Sequence, residues 1–144
     1  MKITIYTDGG ARNNPGPAAV GVVIKREKEI LGEYNEFIGE ATNNEAEYQA
    51  IIFALKKAKL LFGKKKIKEI EIELYSDSEL AIKQLNHEYK IKEANLQLLF
   101  IEVWNLTLDF KQVNFKHVLR DKNKEADKLV NQALDAEERT QTLL

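Results

Sequence analysis

Lys2-Ile-Thr-Ile-Tyr-Thr7 alternates apolar and polar positions, the period of a half-buried strand. Asp8 to Pro17 then supplies dense turn chemistry (Gly9, Gly10, Asn13, Asn14, Pro15, Gly16) before the β-branched run Ala18 to Lys25. Ile30 to Ile38 fits a third strand, closing an antiparallel hairpin around Glu27-Lys28-Glu29. From Asn43 the period lengthens: Tyr48, Ile51, Ile52 and Leu55 recur at helical spacing, Ala50, Ala54 and Ala58 give a small-residue stripe, and Gly63 ends the helix. Glu69 to Tyr75 alternates again, and Ser76-Asp-Ser-Glu79 opens a short helix through Leu85. Ala94 to Leu108 reads as an amphipathic helix, Gln112 to Val118 as a last strand and Lys124 to Leu134 as a closing helix. The polar terminus Asp135 to Leu144 is expected to fray as a flexible tail.

The order βββ-α-β-α-α-β-α joins an antiparallel meander to crossover units, which predicts an α/β fold with a mixed five-stranded sheet flanked by helices. A chain of 144 residues suits one domain spanning 1–144. The formal charge of −1 excludes a global basic field, so any contact with a polyanion must be local. The absence of cysteine excludes disulfides, thiolate zinc sites and cysteine nucleophiles, and the two histidines cannot build a His-rich metal site. No apolar run approaches the ~18 residues of a membrane span, and the start does not read as a signal peptide. The expectation is a cytoplasmic protein with no membrane partner, acting as a monomer.

The candidate chemistry lies in carboxylates. Asp8 and Asp77 both follow predicted strands, so if those strands are parallel neighbours the two acids meet at one sheet edge. Each has a purely local alternative: Asp8 as an Asx turn, Asp77 as a helix-capping or dipole-complementing acid. In Thr42-Asn-Asn-Glu-Ala-Glu47, the pair Thr42 and Glu45 has capping-box spacing. Glu47 instead stacks with Ala50, Ile51 and Ala54, and an acid entering a buried stripe needs a partner. Asn123 reads as the N-cap of the closing helix, with Asp127 bordering its inward face. Four acids from separate elements repel one another unless cations bind, and an oxygen-only set suits Mg²⁺ or Mn²⁺. Two such ions can drive phosphodiester hydrolysis, so the pattern points to a nuclease.

Tyr6-Thr-Asp8-Gly-Gly, Asn14-Pro-Gly-Pro17, Thr42-Asn-Asn-Glu-Ala-Glu47, Ser76-Asp77-Ser78 and Asn123-Lys-Glu-Ala-Asp127 together resemble type 1 ribonuclease H, in the family's order and over nearly the whole chain. The resemblance implies the ribonuclease H fold and two-metal-ion hydrolysis of the RNA strand of RNA–DNA hybrids, leaving 5′-phosphate and 3′-hydroxyl ends. It implies Asp8, Glu47, Asp77 and Asp127 as catalytic, metal-binding carboxylates, with Mg²⁺ as the cofactor and Mn²⁺ as an alternative. His117 stands where the family's mobile histidine precedes the last acid, although on its strand it also reads as an ordinary semi-buried residue. Arg120 is where a similar subgroup uses an arginine for the same task. Asn14, Asn43 and Asn44 match hybrid-contacting positions, where amides meet a ribose 2′-OH, and Thr42 matches a phosphate-contacting one.

The chain also departs from the family. Asn86 to Glu93 is too short and too mixed in charge to form the basic protrusion of many members. Glu40 stands where some relatives carry an arginine near the DNA phosphate, which puts strand discrimination in doubt and adds double-stranded RNA as a second candidate substrate. Lys56, Lys57, Lys59, Lys64, Lys65, Lys66 and Lys68 form the one local basic cluster, read either as a phosphate-steering patch or as a solvated helix end. Phe100 and Trp104 at helical spacing read as core.

Overall fold

The computed structural model describes residues 1–143. Strands β1 (Lys2–Ala11), β2 (Gly16–Arg26) and β3 (Glu29–Ala41) form the meander, followed by α1 (Asn43–Phe62), β4 (Glu71–Ser76), α2 (Glu79–Leu85), α3 (Ala94–Thr107), β5 (Gln112–His117) and α4 (Lys124–Leu143). Single 3₁₀ turns occupy Lys66–Glu69 and Arg120–Lys122. The five strands lie in the order β3-β2-β1-β4-β5, with β1 antiparallel to β2 but parallel to β4, and β4 parallel to β5. The predicted mixed sheet is therefore present.

The main core lies between one sheet face and α1: Ile3, Ile5, Ile24, Ile72 and Leu74 from the strands meet Tyr48, Ile51 and Leu55 from the helix. On the other face α4 packs Val130 and Leu134 against Ala19. That face also carries polar and aromatic side chains of β1 and β4. There Glu73 holds both Lys2 and Lys116 at 2.9 Å, and Tyr6 stacks on Tyr75 with ring centroids 5.1 Å apart.

Two boundaries and one burial assignment stand out as different from the sequence reading. β1 does not stop at Thr7 but continues through Asp8, Gly9 and Gly10 to Ala11, because the glycines pair with β2 instead of turning. Asp8 is thus a mid-strand residue opposite Gly21, and the Asx-turn reading is corrected. The closing helix passes Leu134 and continues to Leu143. Arg12 bridges to its far half, meeting Asp135 and Glu138, each at 2.7 Å. Finally, Trp104 is not core: it is 49% exposed and clusters with His87 and Phe100 around a recess of about 340 Å³ beside α3.

Candidate active site

The parallel pairing of β1 with β4 brings the ends of both strands together, and α1 begins beside them. Thr42 caps α1 as its spacing predicted: its Oγ1 accepts from the Glu45 amide at 3.1 Å, and the Glu45 carboxylate accepts from the Thr42 amide at 2.9 Å. That second bond, charge-assisted, holds the Glu45 carboxyl below its ordinary range. Glu45 is therefore consumed by the cap, and Glu47, two residues on, turns inward and is 7% exposed. One Glu47 oxygen accepts from the Gly9 amide and the other from Ser76 Oγ at 3.4 Å. Gly9 makes this approach feasible, since a Cβ there would lie 2.1 Å from the Ala46 carbonyl oxygen.

Asp77 follows β4 and does not cap α2. That task falls to Ser78, whose Oγ accepts from the Ala81 amide at 3.2 Å. Asp8, Glu47 and Asp77 each offer an oxygen such that all three lie within 4.8 Å of one another. Asp127, in the first turn of α4, lines the same cavity of about 440 Å³ and bears electrostatically on Asp8. Gly21 lets α4 descend this far, because a Cβ there would lie 2.4 Å from the Ala126 carbonyl oxygen.

Burial, then the charges of Asp77 and Asp127, push the Asp8 carboxyl up to about 8. Glu47 is also driven well above its ordinary value, first by burial and then by Asp8 and Asp77. No lysine lines the cavity, and its cations are Arg12 and Arg120. An all-oxygen donor set that resists ionisation on its own is what a hard divalent cation relieves.

The flanking polar residues form a connected loop-to-helix seam. Asn14 Oδ1 accepts from the Asn43 amide at 3.0 Å, and Asn43 Oδ1 accepts from the Ala11 amide at 2.9 Å. Asn44 lines the cavity beside Asn43.

Comparison with known proteins identifies the family and the fold. The model of the family described as reverse transcriptase-like matches residues 6–133. The chain belongs to that family. Its relatives with solved structures include LC11-RNase H1 in complex with an RNA/DNA hybrid, at 44% identity and a TM-score of 0.89 over 94% of this chain and 98% of that one. RNase H1 from Halobacterium salinarum gives 39% identity and a TM-score of 0.86 over 94% of this chain and 99% of that one. The bifunctional protein Rv2228c of Mycobacterium tuberculosis is 37% identical over 138 residues, which cover 94% of this chain but 36% of that protein. The chain thus spans about a third of the length of the mycobacterial relatives it matches. The fold is that of a type 1 ribonuclease H domain, a metal-dependent family, and the acid cluster fits metal catalysis.

Within this ribonuclease H domain the remaining candidates separate. Arg120 lines the acid cavity, whereas His117 is exposed at the end of β5, opposite Ser76. The semi-buried reading of His117 does not hold. Asn123 does stand at the N-cap position, directly before α4 with its carbonyl accepting from the Asp127 amide at 3.1 Å, but its side-chain Oδ1 caps nothing among the described residues. The Asn123 side chain is buried and donates from Nδ2 to the Thr7 carbonyl at 2.8 Å and to Asp77 at 3.4 Å. It ties β1, Asp77 and the start of α4 together across the site, a role invisible in a motif that reads locally as a helix start. Ser76, which donates to Glu47, and Arg12 were also missed. The one sequence signal for Arg12 was a lone cation in a turn-rich stretch beside a candidate acid. The lysine cluster lies at the other end of α1, at least ~13 Å of helix away from Glu47, and none of its residues lines the acid cavity.

Proposed function

We propose that the chain is a divalent-metal-dependent endoribonuclease that hydrolyses the RNA strand of RNA–DNA hybrids. The observation that carries this reading is the trio Asp8, Glu47 and Asp77, gathered within 4.8 Å from β1, α1 and the end of β4, with Asp127 on the same cavity. The hybrid bound to LC11-RNase H1 supports the substrate class.

Asp8, Glu47, Asp77 and Asp127 would hold Mg²⁺, with two ions and Mn²⁺ as an alternative. When bound, such ions supply an attacking water at neutral pH and charge stabilisation at the leaving oxygen, which yields 5′-phosphate and 3′-hydroxyl ends. The protein's own groups set the stage. The Gly9 amide and Ser76 hydroxyl fix Glu47, and Asn123 fixes Asp77, so the carboxylates need little rearrangement on loading. Asn14, Asn43, Asn44 and Thr42 offer hydroxyl and amide groups to the ribose 2′-OH and phosphate of an RNA strand. Because those contacts read RNA, and Glu40 offers the opposite strand no cation, double-stranded RNA is a second substrate in this reading. Arg120, on the cavity wall, is better placed than His117 to neutralise a phosphate there. One chain supplies every acid, which suits a monomer, and the cysteine-free composition suits a reducing, cytoplasmic compartment.

Equal-length RNA–DNA hybrid, double-stranded RNA and double-stranded DNA, each with Mg²⁺, Mn²⁺ or EDTA, test the reading against an Asp77→Asn variant. Metal-dependent cutting of the hybrid's RNA strand, lost in the variant, is expected. Full activity in Asp77→Asn, or hybrid binding with no turnover under any metal, would overturn it.

A further inference from the structure

Arg12 is the cavity residue to which the reading above assigns no task. It sits where β1 gives way to the Asn13-Asn14-Pro15 loop, its backbone amide pinned to the Pro17 carbonyl at 2.8 Å. With Arg120 it is one of two cations lining a cavity otherwise crowded with carboxylates. Its guanidinium points along α4: one nitrogen meets Glu138 at 2.7 Å, the other meets Asp135 at 2.7 Å and Asn131 at 3.2 Å. Asp127, Asn131, Asp135 and Glu138 recur at helical spacing, so Arg12 is held on an acidic stripe that starts inside the acid site and climbs ~12 Å from Asp127 to Asp135.

These pairs are exposed. The Arg12 side chain is 33% accessible and its two carboxylate partners 52% and 61%. Contacts of this kind are weak and screened by salt, so they make a poor structural brace but an exchangeable one. A guanidinium matches phosphate in the same bidentate geometry as carboxylate. Asn43, assigned above to the RNA strand, lines the same cavity as Arg12 and is bonded to Asn14.

We propose that Arg12 is a substrate-binding residue held in reserve: Asp135 and Glu138 keep its guanidinium at the rim of the free protein, and a phosphodiester a few nucleotides from the cleaved bond replaces them. The two carboxylates then act as competitors of the substrate backbone, tuning affinity downward. This inference rests on the nuclease reading, but it concerns binding and not the chemical step.

The test compares the parent chain, Arg12→Ala, Arg12→Lys and the double variant Asp135→Asn/Glu138→Gln on a hybrid, with KM and kcat measured across a salt series. Arg12→Ala should raise KM about five- to tenfold with kcat within about twofold, and lower the slope of affinity against salt by about one phosphate contact. Arg12→Lys should recover part of that loss. The double variant should lower KM about two- to threefold, since the competitors are gone. Circular dichroism should find α4 intact in every variant. A double variant that raises KM as Arg12→Ala does would make the ion pairs a mere brace, and an unchanged KM in Arg12→Ala would remove the contact altogether. Either result overturns the proposal while leaving the nuclease reading intact. A parent chain that neither binds nor cuts the hybrid would sink that reading, and this one with it.

Discussion

The two ends of α1 each gather like charges, and they solve the problem in opposite ways. At the carboxyl end, lysines from Lys56 to Lys68 face water and local acids: Lys59 pairs with Asp109 at 2.7 Å, Lys56 with Glu102 at 3.7 Å, and Lys57 lies over the rings of Tyr34 and Phe53. Solvent and these partners disperse the repulsion. At the amino end, Glu47 and Asp8 are buried beside Asp77 with no lysine on the cavity wall, and although Gly9 and Ser76 donate to Glu47, both buried carboxyls are pushed toward their protonated forms. Repulsion that is diluted signifies a solvated surface, whereas repulsion that is concentrated and buried signifies a site awaiting a cation.

The sharpest way to break this contrast is to remove one acid. Asp77→Asn should cut metal-dependent hydrolysis by roughly a hundredfold or more, the scale of losing one preorganised electrostatic group, while the thermal transition stays cooperative. A residual rate within tenfold of the parent would mean that the cluster does not hold the reacting metal.

The next effect concerns stability. The Asp8 carboxyl sits at about 8 in the fold against 3.8 for the free group, so between those values the native state binds more protons than the unfolded chain. Stability from this group is therefore highest below the lower value and falls as pH rises through the upper one. In EDTA, Asp8→Asn should gain about 2 kcal/mol at pH 8 over the parent, the worth of one to two pKa units, and little at pH 4. Urea unfolding at the two pH values measures it. Added Mg²⁺ should stabilise the parent more at pH 8 than at pH 5, and barely stabilise the variant.

A smaller loss tests the division of labour between neighbouring glutamates. Thr42→Ala, which removes half of the capping box, should cost about 1 kcal/mol of stability with only a modest change in kcat. At the other end of the helix, Lys59→Ala should cost no more than about 0.5 kcal/mol and leave KM for the hybrid unchanged. A marked rise in KM would return the lysine cluster to consideration as a phosphate-steering patch.

Local rules read some residues well and others badly. Glu45 and Glu47 were separable because capping geometry and helical spacing act over a few residues, and the capping box forms as its spacing requires. Asn123 was legible as the residue that starts a helix, but not as a link across the site, because its side chain spends its donors on Thr7, 116 residues away, and on Asp77. Trp104 misled because helical spacing assigns a face to a side chain but not a neighbour to cover that face. Asp8 misled in the milder sense that Asp-Gly-Gly carries turn chemistry, while pairing with β2 draws those residues into the strand.

By itself the sequence determined the periods of the elements, the cap of α1, the acids available and the family pattern they compose. Only the tertiary structure decided that β1 and β4 are parallel neighbours, that three acids meet within 4.8 Å, that Arg120 rather than His117 lines their cavity, and that the far half of α4 reaches Arg12. Helical and strand preferences are set by dihedral sterics and contacts a few residues apart. A carboxylate's proton affinity depends instead on the distance to other charges and on exclusion of water, and those quantities exist only once segments remote in the chain have packed together.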